Sequence, residues 1–273
     1  MTGQRNPSRG PGLDTETKLK KRILCTNDDG YLAPGLHLLR RVAQGLGDVT
    51  VVAPDREQSG TSHSLTLHRP LRIRTSHDHI HHVDGTPTDC VLLALGGAVL
   101  DRPPDLVLSG INHGPNLGED VLYSGTVAAA MEATMLGIPS AAISFASDEF
   151  EPPSEEYLPL LEVLLARLVQ RERYPEGTLL NINIPPIPPA EIRGVRVTTL
   201  GRRVYVESLT RNEDPYGREY YWIGGGRSEW SGGEETDFRT VAAGYISLTP
   251  LNLDLTNYKL LEDFRAWDLS LEI

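Results

Sequence analysis

Asp28 and Asp29 stand side by side in Thr26-Asn27-Asp28-Asp29-Gly30, directly after the apolar run Ile23-Leu24-Cys25. Such a run reads as a buried strand, so both carboxylates fall at its carboxyl end. That is the edge at which open α/β sheets bind their ligands. Adjacent carboxylates suit a hard divalent cation, which takes oxygen ligands. The plainer alternative is a turn, because Asn-Asp-Asp-Gly is good turn chemistry and Asp often caps a following helix.

Three later segments could join them. After Ala53-Pro54-Asp55, the loop Ser59-Gly60-Thr61-Ser62-His63-Ser64 could supply a neutral oxygen ligand, or be no more than a polar loop. The stretch Ser109-Gly110-Ile111-Asn112-His113-Gly114-Pro115-Asn116-Leu117-Gly118 follows another apolar run. Its glycines permit close backbone approach, and asparagine offers a neutral oxygen to a hard metal. Self-capping asparagines in a glycine-rich loop are the alternative. Tyr123-Ser124-Gly125-Thr126 opens a helical pattern, where free N–H groups and two hydroxyls could hold an anion or form an ordinary cap. No Gly-Lys-Ser/Thr is present, so this is not a Walker loop. No Gly-x-Gly-x-x-Gly follows the first strand either. His63, His68, His77, His79, His81 and His82 crowd one stretch. His77, His79 and His81 would share one face if that segment is extended. A solvated edge hairpin is preferred to a zinc patch, because no cysteine completes the spacing.

The elements that must position these residues alternate. Strands are expected at 23–26, 49–53, 106–108, 141–144 and 179–184. Helices are expected at 36–46, from Thr86-Pro87 to residue 95, at 124–136 and at 157–169, with an edge hairpin from 71–74 and 80–84. This alternation argues for a Rossmann-like, doubly wound, mainly parallel sheet. After Pro185 the character changes. Strands at 195–199, 220–223 and 245–248, a turn at Asp214-Pro215-Tyr216-Gly217 and a closing helix at 258–267 read as a β-rich oligomerisation arm. The expected units are a flexible extension, 1–21, a catalytic domain, 22–185, and an arm with C-terminal helix, 186–273.

Composition sets the outer bounds. A net charge of −11 argues against binding the nucleic-acid backbone, though a local cation would still admit a small anionic substrate. The best apolar run, 91–100, is about half the roughly 20 residues needed to span a membrane. The polar first 20 residues lack a signal-peptide core. Cys25 and Cys90 sit in apolar contexts, as buried free thiols would in a reducing compartment. A cytoplasmic enzyme is therefore expected.

At this point the residues resemble the SurE (survival protein E) family of metal-dependent nucleotide phosphatases. The likeness is carried by residues 23–30, by Val51-Val52-Ala53-Pro54-Asp55 through Ser59 and His63-Ser64, and by Gly85-Thr86-Pro87-Thr88-Asp89-Cys90-Val91. It continues in Ser109-Gly110-Ile111-Asn112, Gly114-Pro115-Asn116-Leu117-Gly118, Ser124-Gly125-Thr126-Val127 and 244–251. The resemblance implies that Asp28, Asp29, Ser59 and Asn112 hold one magnesium or manganese ion per subunit. It implies that Asn116, Ser124, Gly125 and Thr126 bind the substrate phosphate. Substrates would be nucleoside 5′- and 3′-monophosphates, and short polyphosphate for some members. Direct attack by water is expected, with Asp28 or Asp29 orienting it. The resemblance also implies a homodimer or homotetramer with exchanged C-terminal arms. Two alternatives stay open: a phosphatase with an aspartyl-phosphate intermediate, and a non-catalytic nucleotide- or metal-binding module.

Overall fold

Ile23 and Cys25 pack on one side of the first strand and Leu24 on the other, and all three are buried. A strand covered on both faces belongs in the middle of a layered α/β sheet. The computed structural model describes residues 20–206, 209–223, 227–267 and 269–270. The extension expected at 1–21 therefore lies almost wholly outside the described residues.

The first half of the chain runs β1 (Lys21–Thr26), α1 (Pro34–Gln44), β2 (Gly47–Pro54), β3 (Ile73–Thr75), β4 (His81–Val83), α2 (Pro87–Leu93), β5 (Leu106–His113) and α3 (Gly125–Met135). It continues with β6 (Ser140–Phe145), α4 (Leu158–Val169), β7 (Leu179–Ile184), β8 (Val195–Val197), β9 (Arg202–Val206) and β10 (Leu209–Glu213). β11 (Glu219–Ile223), β12 (Arg227–Ser231), α5 (Asp237–Ala242), β13 (Ile246–Pro250) and α6 (Leu261–Arg265) complete it.

The main sheet has the order β3-β4-β2-β1-β5-β6-β7-β13-β8. From β4 to β7 every pairing is parallel; β3 and β13 pair antiparallel with β4 and β7. The chain leaves β1 toward β2, then returns to place β5 on the other side. That reversal makes the β1–β5 gap a topological switch point. Leu36, Leu39 and Val42 of α1, with Leu161, Leu165 and Leu168 of α4, cover one face. Cys90 and Val91 of α2, with Ala129 and Ala133 of α3, cover the other. Small residues let α3 lie close to the sheet, and nearly its whole circumference is buried.

Several expectations are corrected by this arrangement. β5 does not stop at Leu108 but pairs with β6 as far as His113↔Phe145, with a register shift between Gly110 and Asn112. Glycine conceals this continuation from a propensity reading. It is required because a Cβ at Gly110 would lie 2.2 Å from the Ile143 carbonyl oxygen. α2 ends at Leu93 and runs into a wider π-type turn, Ala94–Ala98, where Gly97 turns to φ 89°. The expected closing helix is a 3-10 turn, Tyr258–Leu260, followed by the short α6, neither with a buried residue to extend it. The ribbon of β9 with β12 is not anticipated by the sequence reading. β8 and β13 join the main sheet, so the unit boundary expected at 185 does not fall at a sheet edge. Among the described residues, β9–β12 alone form separate ribbons. Among the described residues no helix is long and apolar enough to cross a membrane.

Candidate active site

β1 delivers Asn27, Asp28 and Asp29 to the switch point, and the Asn27 side-chain amide donates to the Gly30 carbonyl at 3.0 Å, closing the turn. Asp28 is 3 % exposed. Burial and the neighbouring Asp29 charge push its carboxyl up to about 6, against the pull of a hydrogen bond from Thr126. Burial likewise lifts Asp29 to about 6; the His113 N–H lowers it and the Glu57 charge adds to the rise. Among the described residues no lysine or arginine pairs with either carboxylate; the nearest basic nitrogen is His113 Nδ1, 3.9 Å from Asp29 Oδ1. A buried and a part-buried carboxylate with no lysine or arginine partner among the described residues form a site of concentrated negative charge.

α3 is the second part. Ser124 caps it by accepting from the Val127 N–H at 3.1 Å. Gly125 lies against Asp28: a Cβ there would sit 2.8 Å from Asp28 Cβ and 3.0 Å from Asp28 Oδ2. Glycine is thus what lets the positive end of the helix reach the carboxylate. The Thr126 hydroxyl donates to Asp28 Oδ1 and lies 3.3 Å from Asn112 Oδ1. Its single proton is therefore engaged inside the site, and its backbone N–H is directed at the same Asp28 carboxylate. This differs from the sequence reading, which counts both hydroxyls as donors.

The end of β5 is the third part. The Asn112 side chain donates to the Gly114 carbonyl at 2.9 Å, which turns Oδ1 toward Thr126. Asn116 donates through its side-chain amide to Ser144 Oγ at 2.8 Å, and its backbone carbonyl accepts from Asn181 and Asn183. The fourth part is the loop after β2. The Gln58 N–H donates to the Asp28 carbonyl at 2.7 Å, which folds the loop over the strand end. Ser59 donates to Glu57 at 2.8 Å, so its oxygen keeps its lone pairs for a further partner. Ser62 is tied to Leu122 and Tyr123, and His63 Nε2 donates to Glu132 of α3 at 2.8 Å.

Asp28, Ser59, Asn112, Asn116 and Ser124 all line one cavity of about 630 Å³. Asp29 lies beside it, behind His113. Five sequence-chosen residues thus converge on one space, while Gly125 and Thr126 contact Asp28 from α3 without lining the cavity themselves. The sequence reading gave no role to His113 or Glu57. His113 accepts from the Gly35 N–H at 3.2 Å and donates its own backbone N–H to Asp29 at 3.4 Å; burial lowers its imidazole pKa. Its only sequence signal is its place beside Asn112.

The remaining histidines do not gather. The chain turns at Ser76, with His79 at φ 58°, so residues 77–79 form a turn and do not continue the strand that begins at His81. His82 stacks on Tyr31 at 4.3 Å, and His81 pairs with Thr75. Among the described residues no three His, Cys, Asp or Glu side chains cluster as a metal centre. A cation at the switch point must accordingly rest on two carboxylates and neutral oxygens. That donor set is hard, all-oxygen and anionic, which fits magnesium or manganese and does not fit a soft, thiolate-seeking ion.

Fold and site together define the class: a Rossmann-like α/β protein with an oxygen-rich, anionic cavity at the topological switch point of its sheet. Within that class the chain belongs to the SurE family, whose model, described as Survival protein SurE, matches residues 23–207. It is 56 % identical over 248 residues to a 5′-nucleotidase SurE of Gemmatimonas aurantiaca, covering 90 % of this chain and 98 % of that one. A 5′-nucleotidase SurE of Carboxydothermus hydrogenoformans is 50 % identical over 261 residues, covering 92 % and 97 %. The crystal structure of the SurE protein from Aquifex aeolicus superposes with a TM-score of 0.77 at 45 % identity, covering 89 % of this chain and 98 % of that chain.

Proposed function

We propose that the chain is a divalent-metal-dependent phosphomonoesterase that hydrolyses nucleoside 5′-monophosphates to nucleoside and phosphate. The relatives named 5′-nucleotidase support the substrate class. The observation that carries the reading is the contact between Gly125 and Asp28, which sets a helix start directly against a buried carboxylate. A cation site and an anion site then share one wall, as a phosphate bridging a metal and a helix N-terminus requires.

Asp28, Asp29, Ser59 and Asn112 would hold the ion, with magnesium and manganese the two candidates. When bound, it supplies positive charge to phosphoryl oxygens and eases the loss of a proton from water. The protein supplies the rest. Backbone N–H groups at the start of α3 and the Ser124 hydroxyl hold the equatorial oxygens, where charge builds in the transition state. Asn116 is fixed by Ser144, Asn181 and Asn183, so it meets the phosphate with little reorganisation. An Asp28 or Asp29 oxygen not engaged by the cation orients the attacking water. The Thr126 hydroxyl acts behind the reacting atoms, by fixing the Asp28 carboxylate.

The resemblance extends the proposal to nucleoside 3′-monophosphates and short polyphosphate. Exposed apolar residues on β10 and β11, among them Leu209, Tyr221, Trp222 and Ile223, support self-association into a dimer or tetramer. Buried free Cys25 and Cys90 support residence in the reducing cytoplasm.

The test is phosphate release from a panel of nucleoside 5′- and 3′-monophosphates in EDTA, then after magnesium or manganese is added back, beside an Asp29→Ala protein. Turnover restored by metal and lost in the variant is expected. Ligand binding by a folded protein without turnover in any metal would instead establish the binding-module alternative.

A further inference from the structure

The cavity that contains the proposed phosphate site continues outward to two aromatic rings, Tyr123 and Phe150. We propose that these rings form the walls of a nucleobase subsite, which makes this site select nucleotides over phosphate esters lacking a base. The proposal rests on the nucleotidase reading above and deepens it.

Neither ring is explained by the core. Tyr123 is 61 % exposed and Phe150 68 %, whereas buried Phe145 and Tyr157 pack edge to face within the core at 5.0 Å. Their backbones are nevertheless held. Tyr123 immediately precedes the helix cap Ser124; its N–H donates to Asp120 and its carbonyl accepts from Ser62 of the Ser59 loop, each at 3.0 Å. The backbone that carries its ring is thus anchored between the proposed phosphate-binding helix start and the Ser59 loop. Phe150 sits in a turn closed by its N–H to the Ser147 carbonyl, with φ at 56°. A bulky side chain with a left-handed backbone is a genuine outlier, and such outliers gather at ligand sites. Its ring lies over Gly114, where a Cβ would come within 2.7 Å of Phe150 Cδ1. Glycine at 114 therefore admits the ring to the cavity lip, two residues beyond Asn112.

A nucleoside monophosphate has a charged end, a sugar and a flat apolar base. The cavity offers oxygen donors at its floor and aromatic faces at its mouth, in a volume typical of small-molecule sites. Every base has a π-face, so aromatic walls bind all of them and favour the larger purines. Short polyphosphate has no part to place there.

The test is steady-state hydrolysis of AMP, CMP and ribose 5-phosphate by the full chain with manganese, for the wild type, Tyr123→Ala, Phe150→Ala, and the conservative Tyr123→Phe and Phe150→Trp. Each alanine variant is expected to lower the AMP-to-ribose-5-phosphate ratio of kcat/KM about tenfold, mainly through KM for AMP. The loss is expected to be smaller for CMP, and the aromatic replacements are expected to keep the wild-type ratio. An unchanged ratio in both alanine variants, or equal losses on AMP and ribose 5-phosphate, would overturn the base subsite while leaving a nucleotidase intact. A folded wild type that hydrolyses ribose 5-phosphate but no nucleotide would overturn the nucleotidase reading itself, and the subsite with it.

Discussion

Replacing Asp28 with asparagine should stabilise the metal-free protein, and the gain should depend on pH. Asp28 is buried beside Asp29, and its carboxyl is lifted from the ordinary 3.8 to about 6. Between those values the folded chain binds more protons than the unfolded one, so stability falls as pH rises through that window. Asparagine keeps the shape and the oxygen that accepts from Thr126, but it has no proton to lose. Its advantage over aspartate works out at about 1 kcal/mol at pH 4.5 and about 3 kcal/mol at pH 8. For a chain of this length those figures correspond to roughly 2 °C and 6 °C in Tm. The assay is thermal unfolding in EDTA at both pH values, repeated with manganese. Manganese is expected to raise the wild-type Tm at pH 8 and to leave the Asp28→Asn variant nearly where it was. An Asp28→Asn protein no more stable than wild type at pH 8 in EDTA, or an offset identical at both pH values, would refute the reasoning.

Other expectations follow from single contacts. Gly125→Ala places a Cβ 2.8 Å from Asp28 Cβ and should cut phosphate release about a hundredfold in a folded protein, checked by kinetics beside circular dichroism. Thr86 and Asp89 exchange reciprocal bonds at the start of α2, so Thr86→Ala should cost about 1 kcal/mol of stability by urea unfolding, with KM little changed. His63→Ala frees the Ser59 loop from Glu132 and should weaken manganese binding about tenfold in calorimetry, a change that a purely local packing role would not produce.

The parts of the fold that the sequence displays are those in which hydrophobic period and burial agree. β1 and β2 are centred on short buried apolar runs, and β7 is legible from its leucines and isoleucines despite Asn181 and Asn183; the leucine spacing of α1 marks its one buried stripe. The Thr86 cap is legible because it is local chemistry confined to four residues. The extension of β5 is hidden because its requirement is tertiary: residue 110 must be small only because the Ile143 carbonyl lies opposite. The ribbon of β9 and β12 is hidden for another reason, since Arg-Arg-Val-Tyr-Val and Arg-Ser-Glu-Trp-Ser mix arginine and polar residues with few apolar ones and show no sustained apolar alternation. In the site, residue type identifies Asp28, Asp29 and Asn112 as oxygen donors, and motif order brings them together. What residue type does not reveal is how each hydrogen is engaged. Thr126 looks like a phosphate donor until its hydroxyl is found on Asp28. His113 looks incidental until its ring accepts from the start of α1 and its backbone donates to Asp29. Phe150 carries no signal at all, because a lone phenylalanine in an acidic loop resembles any exposed apolar residue.

The most direct test of the account titrates manganese into the metal-free chain and follows AMP hydrolysis and bound metal together. Turnover should be absent in EDTA, rise with occupancy and level off at one ion per chain, with Asp28→Asn failing to bind the ion. Full turnover in EDTA, or manganese bound equally well by the Asp28→Asn variant, would contradict a reaction centred on the paired carboxylates at the end of β1.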